Sequence, residues 1–190
     1  MKNILRFASF ILIISSSTSV LAYGNISKGN LTIEPIVGYE RVQSILPTPH
    51  TSNRLFYGAR ANWGPQYLSL EAEVTQSKED ETYNSGTVEM AETSTNYKLG
   101  LRSAYNIGSS LRWYLRAGAS ARESKYERTE AGVTTTQEPA TYVSPYAGSG
   151  LSINMLGVFS LNAGITAVFT NHREIEEPEY QSSLGFSIRI

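Results

Sequence analysis

The sequence predicts an all-β fold: an eight-stranded, antiparallel, up-and-down transmembrane β-barrel with short periplasmic turns and longer extracellular loops. Apolar and polar side chains alternate with a period of two, most clearly in residues 158–170 and 180–190, which indicates strands with one apolar face. The segments between the alternating stretches are short and long in turn. Beyond the first 22 residues no apolar run is long enough for a membrane helix, so a membrane-spanning chain of this sequence must use strands.

The first part of the chain has the pattern of an export signal. A basic start, an apolar run over residues 7–14 and small residues ending at Ala22 predict a cleaved signal peptide over residues 1–22. Residues 23–30 then form a short periplasmic segment, and residues 31–190 form the barrel domain. The sequence has no cysteine, which excludes a lipoprotein anchor and disulfides. Its formal net charge of −1 gives no electrostatic reason to expect nucleic acid as a partner.

Eight segments are close to the about 9–11 residues that a tilted strand needs to cross a membrane. The predicted strands are residues 31–42, 54–63, 66–76, 95–105, 111–122, 141–152, 158–170 and 180–190. The short connections are residues 64–65, 106–110 and 154–157, and the long ones are residues 43–53, 77–94, 123–140 and 171–179. An even number of strands places both ends of the barrel domain on the side of the short turns.

Alternation alone does not say which face of the sheet lies outside. Aromatic side chains of the apolar face stand near the strand ends, where membrane barrels carry two interfacial belts. These aromatics are Tyr39, Tyr57, Trp63, Tyr97, Tyr105, Trp113, Phe159, Phe169 and Tyr180. Small and aliphatic residues such as Leu115 and Ala117 lie between them, so we expect this face to contact lipid. A soluble, lipocalin-like carrier with its apolar face inside is the alternative.

The polar face combines glycines with large charged groups. Its charged residues are Glu34, Glu40, Arg60, Glu71, Glu73, Lys98, Arg102, Arg112, Arg116 and Arg189. An eight-stranded barrel is just wide enough for side chains to fill its interior. Because unpaired charges are costly there, we expect the carboxylates and the cations to bind one another and to plug the barrel. A narrow path for ions or protons is the alternative.

Two segments resemble a known family of barrels. Residues 144–151, which read SPYAGSGL, are similar to the segment before the last hairpin in small eight-stranded outer-membrane barrels of the OmpA/OmpX type. Gly185, Ile188 and Ile190 resemble the terminal signal that the barrel-assembly machinery reads. The resemblance covers essentially the whole region after the signal peptide. No spacing in the sequence matches a metal or cofactor site, so neither is expected. The resemblance implies a protein of the cell outer membrane, in contact with lipid and lipopolysaccharide. It also implies a structural or surface-display role in envelope integrity, adhesion or host-factor interaction through the loops.

The first long loop contains the weak candidates for a catalytic site. His50, Ser52 and Asn53 resemble the His-x-Ser-Asn motif of the lipid A deacylases, another family of outer-membrane barrels. In that family the histidine is the base for a serine nucleophile. The favoured expectation is a protein that is not an enzyme, and a lipid A-modifying enzyme that uses His50 and Ser52 is the alternative.

Two long loops are acidic. Residues 78–81 read KEDE, and the last long loop carries four glutamates, Glu174, Glu176, Glu177 and Glu179. Divalent cations favour carboxylate oxygens, so a cation site that bridges to lipopolysaccharide phosphates is one hypothesis. A solvated run of charges is the preferred interpretation, and no metal ligand is assigned.

Overall fold

A computed structural model of the chain describes residues 31–44, 50–83, 88–155, 158–170 and 178–190, and shows nine antiparallel strands in them. The strands are β1 (Leu31–Ser44), β2 (His50–Trp63), β3 (Ser69–Tyr83), β4 (Val88–Asn106), β5 (Leu111–Glu130), β6 (Val133–Gln137), β7 (Tyr142–Asn154), β8 (Phe159–Val168) and β9 (Glu179–Arg189). Within those ranges no helix is long and apolar enough to cross a membrane. The predicted signal peptide and the predicted periplasmic segment lie outside the described residues.

Eight of these strands form a closed ring. Each of them pairs with its neighbours along the chain, β5 pairs with β7, and β9 pairs back with β1. Closure leaves no unpaired strand edge in the ring, as a membrane barrel requires. We call the side of the tight connections at residues 64–68 and 107–110 the turn end, and the opposite side the loop end.

The eight-stranded antiparallel barrel that the sequence predicts is confirmed, but several strands are longer than predicted. At the loop end, residues that were expected in the long connections continue the strand pairing, so that β3 reaches Tyr83, β4 starts at Val88 and β5 reaches Glu130. Neither face of these extensions is apolar, so the sequence shows no alternation of apolar and polar residues there. The backbone pairing of the strands nevertheless continues. At the turn end β3 starts at Ser69, because Leu68 closes a turn on the carbonyl of Pro65.

The ninth strand, β6, pairs only with β5. The two residues between these strands, Ala131 and Gly132, have φ values of 50° and 79°. Positive φ at both central positions is typical of a tight hairpin turn whose twist matches its strands. The sequence predicts no hairpin here because Ala-Gly lacks the asparagine or aspartate that normally marks such a turn.

The apolar face lies outside and the polar face inside, as the sequence predicts. Aliphatic side chains such as Val37, Leu184 and Ile165 are 47%, 56% and 64% exposed. By contrast, Glu71 is fully buried and Arg60 is only 2% exposed. A soluble barrel with an apolar centre would show the reverse, so the alternative of a lipocalin-like carrier does not fit this structure.

Candidate functional site: the charged interior and the loop-end strands

A compact group of charges occupies the middle of the barrel. We call it the central cluster, and its members are Glu34, Arg60, Glu71, Glu73, Lys98 and Arg116. Strand register creates a row of alternating sign, because Glu34 is the partner of Arg60, Arg60 of Glu73, and Glu73 of Lys98. Nitrogen–oxygen distances along this row are 3.1, 2.7 and 2.6 Å. Each carboxylate therefore neutralises a cation on the neighbouring strand.

Side chains from β5 and β7 complete the central cluster from the other side of the interior. Arg116 Nη1 lies 2.8 Å from Glu73 Oε2 and 3.2 Å from Glu71 Oε1. The hydroxyl of Tyr146 donates to Glu71 over 3.2 Å, and the guanidinium of Arg116 lies 5.1 Å from the centre of the Tyr146 ring. Groups from six of the eight strands of the ring thus meet in the middle, as expected for a plug of side chains in an eight-stranded barrel.

A second group of charges lies nearer the loop end. We call it the loop-end cluster, and its members are Glu40, Arg54, Glu79, Glu92, Arg122 and Glu179. Arg54 binds Glu40 over 3.0 Å and Glu92 over 3.1 Å, and Arg122 binds Glu179 over 2.8 Å. Four carboxylates surround two cations, so this part of the interior carries negative charge.

The sequence identified only Glu40 of the loop-end cluster as an interior charge. Glu79, Glu92 and Glu179 fall in segments that were predicted to be loops, and Arg54 and Arg122 stand at predicted strand ends. The one signal that could have placed them inside was their even spacing from predicted interior residues. Glu92, for example, lies six residues before Lys98, so both side chains fall on the same face of a continuous strand. In the structure Arg54 is the register partner of Glu40.

Gln181 connects the two clusters. Its Oε1 accepts from Lys98 Nζ over 2.5 Å, and its Nε2 donates to Glu40 Oε2 over 2.8 Å. All three side chains are 3% exposed or less. The interior polar groups therefore form one continuous network from the middle of the barrel to its loop end, which holds them in a single arrangement.

At the turn end the predicted interior arginines are arranged differently. Arg112 Nη2 donates to Asn154 over 2.5 Å, to Ser160 over 3.1 Å and to Ser152 over 3.3 Å. All of these acceptors are uncharged, whereas the sequence led us to expect a carboxylate. Arg189 is exposed at the end of β9, and together these arginines leave the turn end positively charged.

Aromatic side chains of the outer face lie near both ends of the strands, and most of them are exposed. Trp63, Tyr105 and Trp113 are 54%, 46% and 39% exposed at the turn end, and we call this group the turn-end belt. The loop-end belt consists of Tyr39, Tyr57, Tyr97, Phe169 and Tyr180. Such rings place their polar atoms at the level of the lipid headgroups. Phe159 also faces outward, and its ring stacks on Phe186 with the centroids 5.4 Å apart.

His50 and Ser52 stand two residues apart on β2 at the loop end. Ser52 is 4% exposed and its hydroxyl donates to the carboxylate of Glu79. His50 Nε2 lies 3.3 Å from Glu81 Oε1. In a serine hydrolase the hydroxyl proton points to the histidine base, but here it points to a carboxylate. Among the described residues no group of three or more acidic or histidine side chains is arranged to hold a metal ion.

Comparison with known proteins identifies the family. The model of the outer membrane protein beta-barrel domain family matches residues 8–188. No curated protein sequence matches the chain.

Three solved structures show the same fold at low sequence identity. Ail, the attachment invasion locus protein of Yersinia pestis, is 13% identical with a TM-score of 0.60, and the match covers 86% of this chain and 100% of Ail. Neisserial surface protein A is 12% identical with a TM-score of 0.56, covering 88% and 99%. The N-terminal β-barrel domain of Pseudomonas aeruginosa OprF is 14% identical with a TM-score of 0.54, covering 84% and 97%. The chain therefore belongs to the outer membrane protein β-barrel family, and it is a transmembrane barrel of the cell outer membrane with periplasmic turns and extracellular loops.

Proposed function

We propose that this protein is a structural barrel that displays a binding surface outside the cell, and that it is not an enzyme. The supporting observation is the continuation of β3, β4 and β5 past the loop-end belt, with β6 added to β5. We call these extensions, residues 77–83, 88–94, 123–130 and 133–137, the loop-end sheet. From Tyr97 to the start of β4 at Val88 the sheet extends roughly 20 Å beyond the belt, given the rise and tilt of such strands.

Strand pairing fixes the shape of the loop-end sheet. The pairing of β4 with β5 is continuous from Asn106 and Arg112 at the turn end to Val88 and Glu130 at the far end. A partner that binds such a sheet does not pay the entropy of ordering a loop, which favours binding. Side chains of β6 are all exposed, and its outer edge has no strand partner in the described sheet.

The charge of the loop-end sheet indicates the chemistry of a partner. Apart from Glu79 and Glu92, which bind Arg54 in the loop-end cluster, its residues and Glu138 together include seven acidic and three basic side chains. The structure of Ail with the heparin analogue sucrose octasulfate contains a polyanion. An acidic sheet repels such a ligand and attracts a cationic one, so we propose that the partner is a basic protein or peptide at a host or neighbouring surface.

The proposal also addresses two alternatives from the sequence, an ion path through the interior and a lipid A-modifying enzyme. The central cluster closes the middle of the barrel, and this supports the interpretation of the interior charges as a plug and not as an ion path. Because the Ser52 hydroxyl is directed to Glu79, we propose that His50 and Ser52 stabilise the loop end and do not hydrolyse lipid A. Overexpression should then leave the mass spectrum of lipid A unchanged, whereas loss of an acyl chain would establish the enzyme.

Contacts with the envelope form the last part of the proposal. We propose that the two aromatic belts contact lipid and lipopolysaccharide, and that Ile188 and Ile190, which are 39% and 72% exposed, contact the barrel-assembly machinery. Gly185 has an additional reason to be small, because a Cβ there would overlap the Glu34 carboxylate inside the barrel.

Two matched double variants on one hairpin test the display function. Glu127 and Glu130 are exposed on β5, and they alternate with Lys125 and Arg128, which are equally exposed. In cells that produce the full chain, Glu127→Gln with Glu130→Gln should reduce binding of a fluorescent oligolysine peptide. Lys125→Gln with Arg128→Gln should preserve or increase it. Equal binding by both variants would contradict a cationic partner, and a heat-modifiable gel shift checks that each barrel is folded.

A further inference from the structure

The turn end of the barrel contains a polar cavity that the display function does not use. It has a volume of about 110 Å³, and Arg102, Arg112 and Arg189 line it together with amide and hydroxyl side chains. We call it the turn-end cavity. At about 10–15 Å³ of such volume per water molecule, this space accommodates several waters or one tetrahedral oxyanion.

Positive charge dominates the turn-end cavity, because no carboxylate side chain is among its lining residues. Arg102 approaches Glu34 only at 3.5 Å, and its guanidinium stacks on the Tyr114 ring, 3.9 Å from the centroid. Arg112 binds three uncharged oxygens, and its Nε has no hydrogen-bond partner. The other interior arginines of the described strands form close ion pairs with carboxylates. Arg102 and Arg112 are therefore exceptions.

Asn162 provides an independent observation in the same cavity. Its side chain is on β8, lines the cavity and is 2% exposed, yet neither Nδ2 nor Oδ1 has a hydrogen-bond partner. Leaving a buried polar group without a partner is costly, and such groups in native proteins call for an explanation such as a bound ion or water. An amide N–H beside arginine N–H groups is a set of donors that suits an anion.

We propose that the turn-end cavity binds a phosphate-type oxyanion on the periplasmic side of the outer membrane. Arg112 and Arg102 supply charge-assisted hydrogen bonds, for which the planar guanidinium fits tetrahedral oxyanions in a bidentate manner. Asn162 donates from its amide, and Arg189 attracts the anion at the exposed mouth. The same chemistry is present in free phosphate and in the headgroup of a phospholipid of the inner leaflet.

Calorimetric titration of the full chain tests the site. The protein is held in a maltoside detergent, which contains no phosphate, and is titrated at low salt with inorganic phosphate and separately with a soluble short-chain phosphatidylglycerol. We expect saturable binding of at least one of them. Tighter binding of inorganic phosphate identifies the free ion as the ligand, and tighter binding of the short-chain lipid identifies the headgroup. Absence of saturable binding with both probes would overturn the proposal.

Charge-matched variants locate the binding. Arg112→Gln should weaken the binding roughly tenfold or more, because it removes one charge-assisted contact. Arg128→Gln, which removes the same charge from the exposed loop-end hairpin, should leave the affinity unchanged. If Arg112→Gln does not fold, Arg189→Gln at the exposed mouth replaces it, with an expected loss of a few-fold. Equal affinities of the wild type and the cavity variant would overturn the assignment, as would an equal loss in Arg128→Gln.

Discussion

Arg60 and Glu73 are register partners on β2 and β3, and Arg60 Nη2 lies 2.7 Å from Glu73 Oε2. Both residues are 3% exposed or less. Neither belongs to this pair alone: Arg60 also binds Glu34, and Glu73 also binds Lys98 and Arg116. The loss of either residue therefore leaves several buried charges with fewer partners, in a protein whose outer surface faces lipid.

Replacing Arg60 by methionine should strongly destabilise the barrel. Methionine preserves much of the side-chain volume but leaves the carboxylates of Glu34 and Glu73 short of one cation. Removal of one partner of a buried pair typically costs about 3–5 kcal/mol. Urea unfolding of the barrel in liposomes, followed by tryptophan fluorescence, measures the change in the free energy of unfolding.

The control for this prediction is Arg128→Met, which breaks an exposed pair with Glu130. Its effect should stay within about 0.5 kcal/mol, as is usual for surface substitutions. Equal unfolding midpoints for Arg60→Met and the wild type would show that the central cluster contributes nothing to stability.

Ala117 is an exposed residue on the lipid-facing side of β5, paired with Leu101 and Ala147. An arginine at this mid-barrel position should hinder insertion, because a charge at the bilayer midplane of a membrane barrel costs about 2–4 kcal/mol. The measurement is the amount of heat-modifiable protein in washed outer membranes. Ala117→Leu is the control and should accumulate like the wild type. Normal accumulation of Ala117→Arg would contradict the assignment of this face to lipid.

The loop-end cluster should make stability dependent on pH. Glu92 lies five residues beyond Tyr97 of the loop-end belt, towards the cell exterior. Burial raises the pKa of its carboxyl, but Arg54 and the hydroxyls of Ser94 and Ser44 together outweigh this effect and hold the pKa below its ordinary value of 4.5. A carboxyl whose pKa is lowered by folding stabilises the folded state fully above pH 4.5, and this contribution is lost as the pH falls through the folded pKa.

Glu92→Gln should therefore reduce the urea midpoint clearly at neutral pH and by a smaller amount well below pH 4.5. The quantity to compare is the difference between wild type and variant, because other carboxyls also titrate in acid. Glu130→Gln, at an exposed ion pair, should give a small difference at both pH values. A difference for Glu92→Gln that is as large in acid as at neutral pH would exclude this linkage.

The membrane-spanning part of the fold could be predicted because lipid and the interior impose opposite polarities on alternate residues, as in Ile165 and Thr166. Beyond the loop-end belt both faces meet water or polar groups, so Glu92 and Ser94 carry no apolar parity that would mark them as strand residues. Tertiary pairing, which a sequence pattern does not show, extends the strands there.

The sequence predicts that interior carboxylates and cations bind one another, but it does not predict every partner of each side chain. The row from Glu34 to Lys98 follows from neighbouring strands in sequence order. Arg112 on β5, in contrast, reaches Ser160 on β8, and this contact depends on the tilt and shear of the closed barrel. Neither quantity can be read from one strand at a time, so the uncharged partners of Arg112 and the turn-end cavity were not foreseen.

Gly164 and Tyr114 provide a test of interior packing. A Cβ at Gly164 would overlap the hydroxyl oxygen of Tyr114, whereas the ring carbon Cζ would be 3.3 Å away. Gly164→Ala should therefore destabilise the barrel by about 1–3 kcal/mol, as overpacking does. Tyr114→Phe removes the obstructing atom at the cost of a weak hydrogen bond to the Ala163 carbonyl. In that background Gly164→Ala should cost much less.

The matched control is Gly150, where an added Cβ would overlap the same hydroxyl but also the backbone carbonyl of Ala163. Because the backbone carbonyl remains in the phenylalanine background, Tyr114→Phe should not rescue Gly150→Ala. Urea midpoints of the wild type, the single variants and the two double variants give a coupling energy for each glycine with Tyr114. Equal coupling at both glycines would mean that the tyrosine hydroxyl does not set the space available beside β8.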